Sequence, residues 1–445
     1  MWLDEGKPRF GPTNDERLLI RAAYKHAIKF AKKKPNQASW DRLHSSFVSK
    51  STSEFWKSWK RLYNKSQSDL HPVVNGVTSK DGIVNSFKSH FVKVSQPNDQ
   101  GRVDQLKHKF DEQYQNTIVG HVNCSCSNHK ITLETIIDSV YSMKMGKSCD
   151  DSSLHAEHFF HAPLPLFQRL SCLFNTMLMH EFVPKQFQFG TIVPIVKDRN
   201  GDKGDLNNYR GITLAPIISK VFEHSLRIIF QPFLSTSSYQ FGFKKRSSTS
   251  LALRCLKESI NYYTSNGSNV YCSFLDASKA FDRLVHVGLF IKLLHRQVPL
   301  IFLNIIIQWY SNLQCRVRWG DTLSDWFPIE AGVRQGGVLS PDFYCIYVDD
   351  LVEIISAMGI GCHLKNTFLS LLLYADDLAL MAPSLAGLQK LLGIAESYCK
   401  EWDILLNAKK NKKHALWEKS ESSGSQSWRE RHWMGRLVEV FGSIT

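Results

Sequence analysis

Four common features are missing from these 445 residues. The ten cysteines are scattered and show no framework of short, regular spacings. That excludes a disulfide scaffold and fits reduced thiols in an intracellular compartment, nuclear or cytoplasmic. No long hydrophobic run is present. The longest, residues 298–307, falls well short of the roughly 20 residues that cross a bilayer, so no membrane partner is expected. The first residues are charged from Asp4 and carry no secretory apolar segment. There is no internal repeat, and the Gly-bearing loop at 198–208 does not match the Gly-x4-Gly-Lys-Ser/Thr phosphate loop. The one cluster of soft metal ligands, His121, Cys124, Cys126 and His129, has a Cys-x-Cys tighter than structural zinc sites use and no second half, so it reads as a polar loop. His155, His158 and His161 lack a carboxylate or second element beside them and read as a surface helix.

What is present is cationic and globular. Hydrophobic residues make up 43% and charged residues 22%, enough apolar material for two or three domains with a real core. The formal net charge of +14 points to a polyanionic partner, most simply nucleic acid. The first 70 residues mix Lys and Arg with Trp40, Trp56 and Trp59. Residues 15–31 have apolar positions at helical spacing, a basic amphipathic helix that suits either a phosphate backbone with stacked bases or a small Trp-anchored core. Farther on, helices are expected at 131–141, 165–180, 217–233, 277–294 and 385–402. Strands are expected at 191–196, 270–276, 313–319 and 325–329. Lys197 and Arg210 flank the 198–208 loop, where a phosphate would suit them. Residues 332–341 form a Gly-rich turn that opens a helix reaching about residue 357.

The most unusual stretch is 368–383, apolar throughout except for Tyr374, Ala375, Asp376 and Asp377. Two buried strands joined by a tight turn account for it. Adjacent carboxylates at about 4 Å repel by roughly 4 kcal/mol at an effective dielectric of about 20, a penalty that a divalent cation removes. A solvated turn rich in Asp accounts for the same residues, and the stretch alone does not decide between the two. Asp276 ends an apolar strand in the same way, which puts its carboxylate at the lip of a sheet.

Order and spelling settle more than any single segment. Asp276-Ala-Ser-Lys-Ala-Phe-Asp282 resembles motif A of the reverse transcriptases of non-LTR (LINE-like) retrotransposons. Residues 332–341 (Gly-Val-Arg-Gln-Gly-Gly-Val-Leu-Ser-Pro) resemble motif B, and Tyr374-Ala-Asp-Asp377 resembles motif C. Residues 192–197 and 208–214 are similar to the fingers motifs. Gln240-Phe-Gly-Phe-Lys-Lys-Arg-Ser-Ser-Thr249 is similar to the segment between fingers and palm, and 402–413 to motif D. The resemblance covers roughly residues 130–413. It implies an α+β right-hand polymerase with fingers and an antiparallel palm sheet backed by helices. It implies that Asp276, Asp376 and Asp377 are catalytic and bind two Mg²⁺ ions, with Mn²⁺ as a substitute. It further implies that Lys197 and Arg210 hold the incoming triphosphate and that Gln335 and Gly336 lie beside the nucleotide. Phe281 then selects the deoxy sugar. The implied partners are an RNA template, a DNA primer and dNTPs, with a nicked target supplying the primer.

Some features depart from the family. The loop Lys147-Ser-Cys-Asp-Asp-Ser-Ser-Leu154 lacks the Pro and Gly of the family's Lys-x-Pro-Gly-x-Asp-Gly, and Ser152 stands where Asp is usual. Asn411 replaces Thr or Ser. No endonuclease and no primer-grip hairpin or thumb is visible, so the sequence reads as the middle of a longer polyprotein with the thumb missing or truncated. The expected divisions are a basic, helical extension at 1–130, fingers at 131–265, palm at 266–413, and a divergent, disordered tail at 414–445 left by a frameshift, splice junction or truncated copy. The alternative to an active polymerase is an inactive nucleic-acid-binding remnant of one.

Overall fold

The computed structural model describes residues 10–33, 37–51, 54–56, 58–59, 71–120, 129–244, 246–364, 367–407 and 414–417. The chain forms two compact units, Met1–His71 and Pro72–Thr445. In the first, helices span Pro12–Lys33 and Gln37–Val48, enclosing the helix expected at 15–31. The Phe55 ring stacks on Trp59 at 6.0 Å and meets Trp56 edge-on at 5.4 Å, so these aromatics contact one another.

The second unit carries eleven strands among its described residues: β1 Phe189–Val196, β2 Tyr209–Leu214, β3 Val270–Asp276, β4 Gln314–Trp319, β5 Thr322–Leu323, β6 Phe327–Pro328, β7 His363–Leu364, β8 Thr367–Phe368, β9 Leu371–Tyr374, β10 Asp377–Ala382 and β11 His414–Trp417. They form a fingers sheet of order β2-β1-β4-β5 with β6 on β4, a palm sheet of order β11-β3-β10-β9, and the small β7–β8 pair. The palm sheet is antiparallel throughout. This is the α+β fingers-and-palm architecture.

Strands β9 and β10 are apolar along nearly their whole length because both faces are covered. Leu371, Leu373 and Leu380 enter the main core, while Leu372, Ala379 and Met381 join Cys272 and Phe274 on the other side. Helix Leu385–Glu401 packs behind β10 with Leu388, Leu391, Ala395, Tyr398 and Cys399 buried, and Ser384 caps it by accepting from the Gly387 N–H at 3.1 Å. Lys292 is fully buried between the palm helices, bonded to Asp350 at 2.6 Å and to the Tyr398 hydroxyl at 3.0 Å.

Four expectations change. The helix expected over 277–294 begins only at His286. Before it the chain turns through Lys279 in a left-handed conformation (φ 54°) and a 3-10 turn, Ala280–Asp282. Hydrogen bonds from Ser278 N to Leu405 O and from Val333 N to Phe281 O engage this segment elsewhere, so it cannot enter a helix. The helix expected over 217–233 ends at Ile229 and a short one, Gln231–Leu234, follows, because Pro232 cannot donate within a helix interior. The 1–130 extension divides near residue 72. Helix Lys80–Val94 sets Phe87 against Tyr209 (4.9 Å) and Trp319 (5.1 Å), and helix Gln100–Gly120 sets Phe110 against Phe290 (5.8 Å). This segment is therefore part of the fingers-and-palm body. Lastly, His414–Trp417, expected in a disordered tail, is the edge strand beside β3. The rest of that tail, the expected thumb position and His121, Cys124 and Cys126 lie outside the described residues.

Candidate active site

The acidic centre is built by strand register. Asp377, first residue of β10, pairs with Asp276, last residue of β3, so the two carboxylates start from facing positions in one antiparallel ladder. Tyr374 closes β9 opposite Asp377, leaving Ala375 and Asp376 as the turn. Ala375 is 2% exposed and left-handed, with φ 56°. Asp376 lies near the Tyr344 hydroxyl, whose ionisation is pushed well up, first by burial and then by that carboxylate. Asp276 is further tied to the chain entering the last strand. Its carbonyl accepts from Asn407 N at 2.8 Å, and its carboxylate accepts from the Asn407 side-chain amide at 3.1 Å. Among the described residues no group of three or more His, Cys, Asp or Glu side chains converges on one point. The three carboxylates are thus neighbours in the backbone without forming a closed cage.

Beside this centre, motifs A and B are laced together. Phe281 lies on Tyr344 at 4.8 Å, nearly parallel, and meets Phe243 edge-on at 5.8 Å. Gln335 donates its side-chain N–H to Asp282 at 2.6 Å, and its carbonyl accepts from Thr213 N at 2.8 Å, which joins the Gly-rich loop to β2. Burial pushes the Asp282 carboxyl up, against the bond from Gln335 and the charges of Lys197, Lys279 and Arg283. Gly336 has φ 122°, and a Cβ there would lie 2.8 Å from the Thr213 carbonyl, so no side chain fits. His286 holds the start of the loop through Nε2 to the Gly332 carbonyl at 2.7 Å; burial lowers its pKa to about 4, so it is neutral and donates. Buried Glu223 accepts from Leu339 N at 3.0 Å and pairs with Arg334 at 3.2 Å, fixing the start of helix Ser340–Ala357.

The fingers cations sit differently. Lys197 follows β1 and is exposed, its ammonium 2.9 Å from the Asn207 carbonyl. Arg210 on β2 is exposed opposite Ile195. His90 on helix Lys80–Val94 is held neutral, its pKa lowered to about 4, chiefly by burial and then by Lys279 and Lys197. The loop that departs from the family is ordered by its acids. Asp150 accepts from Ser152 N, Leu154 N and Ile217 N, and Asp151 pairs with Arg316 at 3.0 Å and accepts from the Thr191 hydroxyl at 2.6 Å. Asp150 and its backbone bonds therefore hold a turn that in the family contains Pro and Gly.

The family model described as "Reverse transcriptase (RNA-dependent DNA polymerase)" matches residues 197–435, more than half of the chain. The chain belongs to the reverse transcriptase family. The match continues past residue 413, so the likeness does not stop where the recognisable motifs end. A Drosophila melanogaster protein named "Probable RNA-directed DNA polymerase from transposon X-element" is 28% identical over 54% of this chain and 27% of its own length. That from transposon BS is 27% identical over 67% and 34%, and that from mobile element jockey 25% identical over 63% and 31%. The matched part spans about a third or less of these relatives. This is the kinship of a LINE-like, non-LTR reverse transcriptase domain. Apo telomerase from Candida tropicalis aligns over 62% of this chain and 59% of its own at 15% identity, with a TM-score of 0.40, too distant to bear on function.

Reverse transcriptases work with divalent metal ions, and the donors here fit such ions. They are all carboxylate oxygens, the ligands that hard cations require, and two of them start from paired strand positions. Three contributors were not evident from sequence: Asn407 on Asp276, Asp282 on Gln335, and His286 on Gly332. Asp282 and Asn407 lie inside motifs already recognised, where a polar residue of fixed spacing was the available signal. His286 gave none, since a lone His in an apolar helix reads as core.

Proposed function

We propose that this chain is the polymerase portion of a non-LTR retrotransposon protein, an RNA-directed DNA polymerase that adds dNTPs to the 3′-hydroxyl of a DNA primer on an RNA template. The observation that supports it best is the pairing of Asp276 with Asp377, with Asp376 on the adjoining turn. Two Mg²⁺ ions, or Mn²⁺ in their place, would be held by Asp276, Asp376 and Asp377; when bound they ease loss of the primer hydroxyl proton and neutralise the leaving pyrophosphate.

The chain's own residues do the rest. Register brings the carboxylates to one sheet edge, and Asn407 orients Asp276. Lys197 and Arg210 supply cations for the triphosphate; Arg offers a fork of donors and Lys a point charge. Gly336 lets the backbone of motif B run close to β2, and Gln335, tied to Asp282, lines the nucleotide's side of that loop. Phe281, backed by Tyr344, presents a rigid ring where a 2′-hydroxyl would clash. The basic surplus suits the template–primer backbone, and binding should weaken steeply with salt.

The test is primer extension by the full chain on poly(rA)/oligo(dT) with dTTP and Mg²⁺. Extension by the wild type and none by the Asp376→Ala, Asp377→Ala double variant is the expected result. Extension that survives the double substitution contradicts the site. Salt-sensitive RNA binding with no wild-type extension makes the chain a binding remnant.

A further inference from the structure

The 374–377 turn has a support that comes from outside the palm sheet. Residues 239–242 run beside β9. Phe241 N donates to Leu373 O at 2.8 Å, and Leu373 N donates to Tyr239 O at 2.9 Å. Gln240 points inward and is 1% exposed. Its Oε1 accepts two backbone N–H groups, Gly242 at 2.9 Å and Ala375 at 3.0 Å. Both donors are N–H, so the atom that meets them is the carbonyl oxygen, and the amide's orientation is fixed by its partners. Gly242 lets the segment approach this closely: a Cβ there would stand 2.4 Å from Ala375 N. The far end is anchored as well. Gln240 N donates to Ser237 O at 3.1 Å, Ser237 N donates to Asp349 at 2.9 Å, and Asp349 is paired with Arg296.

Ala375 occupies a backbone conformation that residues with a Cβ rarely adopt, and it does so immediately before the two acids. A local conformation of this kind persists only where its surroundings impose it. The group that bonds its N–H is the Gln240 amide. Chemistry also explains why an amide is there. A carboxylate at 240 would have the acceptor but would bring another negative charge beside Asp376 and Asp377. An apolar side chain would have neither. The Nε2 group of Gln240 is buried and has no hydrogen-bond partner among the described residues, whereas its oxygen has two.

We propose that Gln240 is the positioning residue of the acidic turn, its side-chain oxygen holding Ala375 left-handed so that Asp376 and Asp377 leave the turn in their ion-binding directions. This rests on the reading of those two acids as ion ligands. The test uses the full chain with Gln240→Leu and the unbranched Gln240→Met, measuring steady-state extension with Mg²⁺ and Mn²⁺ affinity by electron paramagnetic resonance. Each variant should melt cooperatively, and each should lose about tenfold or more in kcat with the dTTP KM unchanged. Mn²⁺ affinity should fall by about tenfold, the scale of a lost orienting contact. Adding Ala375→Gly to Gln240→Leu should recover much of both losses, since glycine adopts positive φ without a Cβ clash. Wild-type kcat and Mn²⁺ affinity in either folded variant, or losses that Ala375→Gly leaves untouched, would overturn the proposal. Asp376→Asn separates the two levels. If it extends and binds Mn²⁺ normally, the ion-site reading fails. If it is inactive while both Gln240 variants are normal, only the role of Gln240 fails.

Discussion

The palm edge and the fingers loop hold their charged residues in opposite ways. Asp276 and Asp377 are fixed by a ladder of paired strands, and Asn407 bonds the first of them. Lys197 and Arg210 stand exposed on either side of a loop, on long side chains. Strand pairing leaves a carboxylate few places to go, whereas a long cationic side chain at the surface can exchange a backbone contact, such as that of Lys197 with the Asn207 carbonyl, for a ligand. Preorganisation is thus concentrated where ions would bind, and adaptability where a triphosphate would enter. Substitutions in the palm should therefore act on turnover, and those in the fingers on binding.

The largest effect should come from Asp276→Asn, which keeps shape but removes a charge at the register position. Extension should fall by about a thousandfold or more, read by single-nucleotide incorporation with Mg²⁺. Asn407→Ala removes one hydrogen bond to that acid and should reduce activity by roughly 10- to 100-fold, with the Mg²⁺ requirement shifted upward. Phe281→Val should leave dTTP use nearly intact while raising relative UTP incorporation by about 10- to 100-fold, measured as the ratio of kcat/KM values. Lys197→Ala and Arg210→Ala should raise the dNTP KM by about tenfold each, the size of one charge-assisted bond, with kcat changed less. A kcat collapse in these two with KM intact would break the contrast between the regions.

The smallest effect separates two histidines. His286 and His90 both have pKa values lowered to about 4, so the stability each contributes is present above the unfolded value of about 6.5 and is lost as pH falls toward about 4. His286 is lowered by burial, against its bond to Gly332, while Lys279 and Lys197 add to the burial of His90. Added salt should therefore raise the His90 pKa slightly and leave that of His286 unmoved, as followed by histidine ring NMR titration.

Much of the palm was legible because strand chemistry is local. An apolar run ending in an acid marks β3, apolar runs on both sides of a polar break mark β9 and β10, and the break at 374–377 marks the turn between those two. Residues 277–285 were misread as helix because their composition permits one. What prevents it is hydrogen bonding to Leu405 and Val333, more than 40 residues away. Helix Lys80–Val94 was read by its charge, whereas Phe87 and Phe91 on its buried face tie it to the fingers. Residues 414–417 are a strand by virtue of pairing with β3, a cause invisible in four residues. Gln240 belonged to a recognised segment, yet its contact with Ala375 spans 135 positions and no local pattern announces it.

The central claim is that strand register, with the adjoining turn, brings Asp276, Asp376 and Asp377 to one ion-binding edge. Fe²⁺ substituted for Mg²⁺, with ascorbate and peroxide, cuts the backbone beside the bound ion. Cleavage of the wild-type chain should map to the ends of β3 and the 374–377 turn, and should vanish in the Asp376→Ala, Asp377→Ala variant. Cuts confined to other segments, or unchanged by that double substitution, would contradict the account.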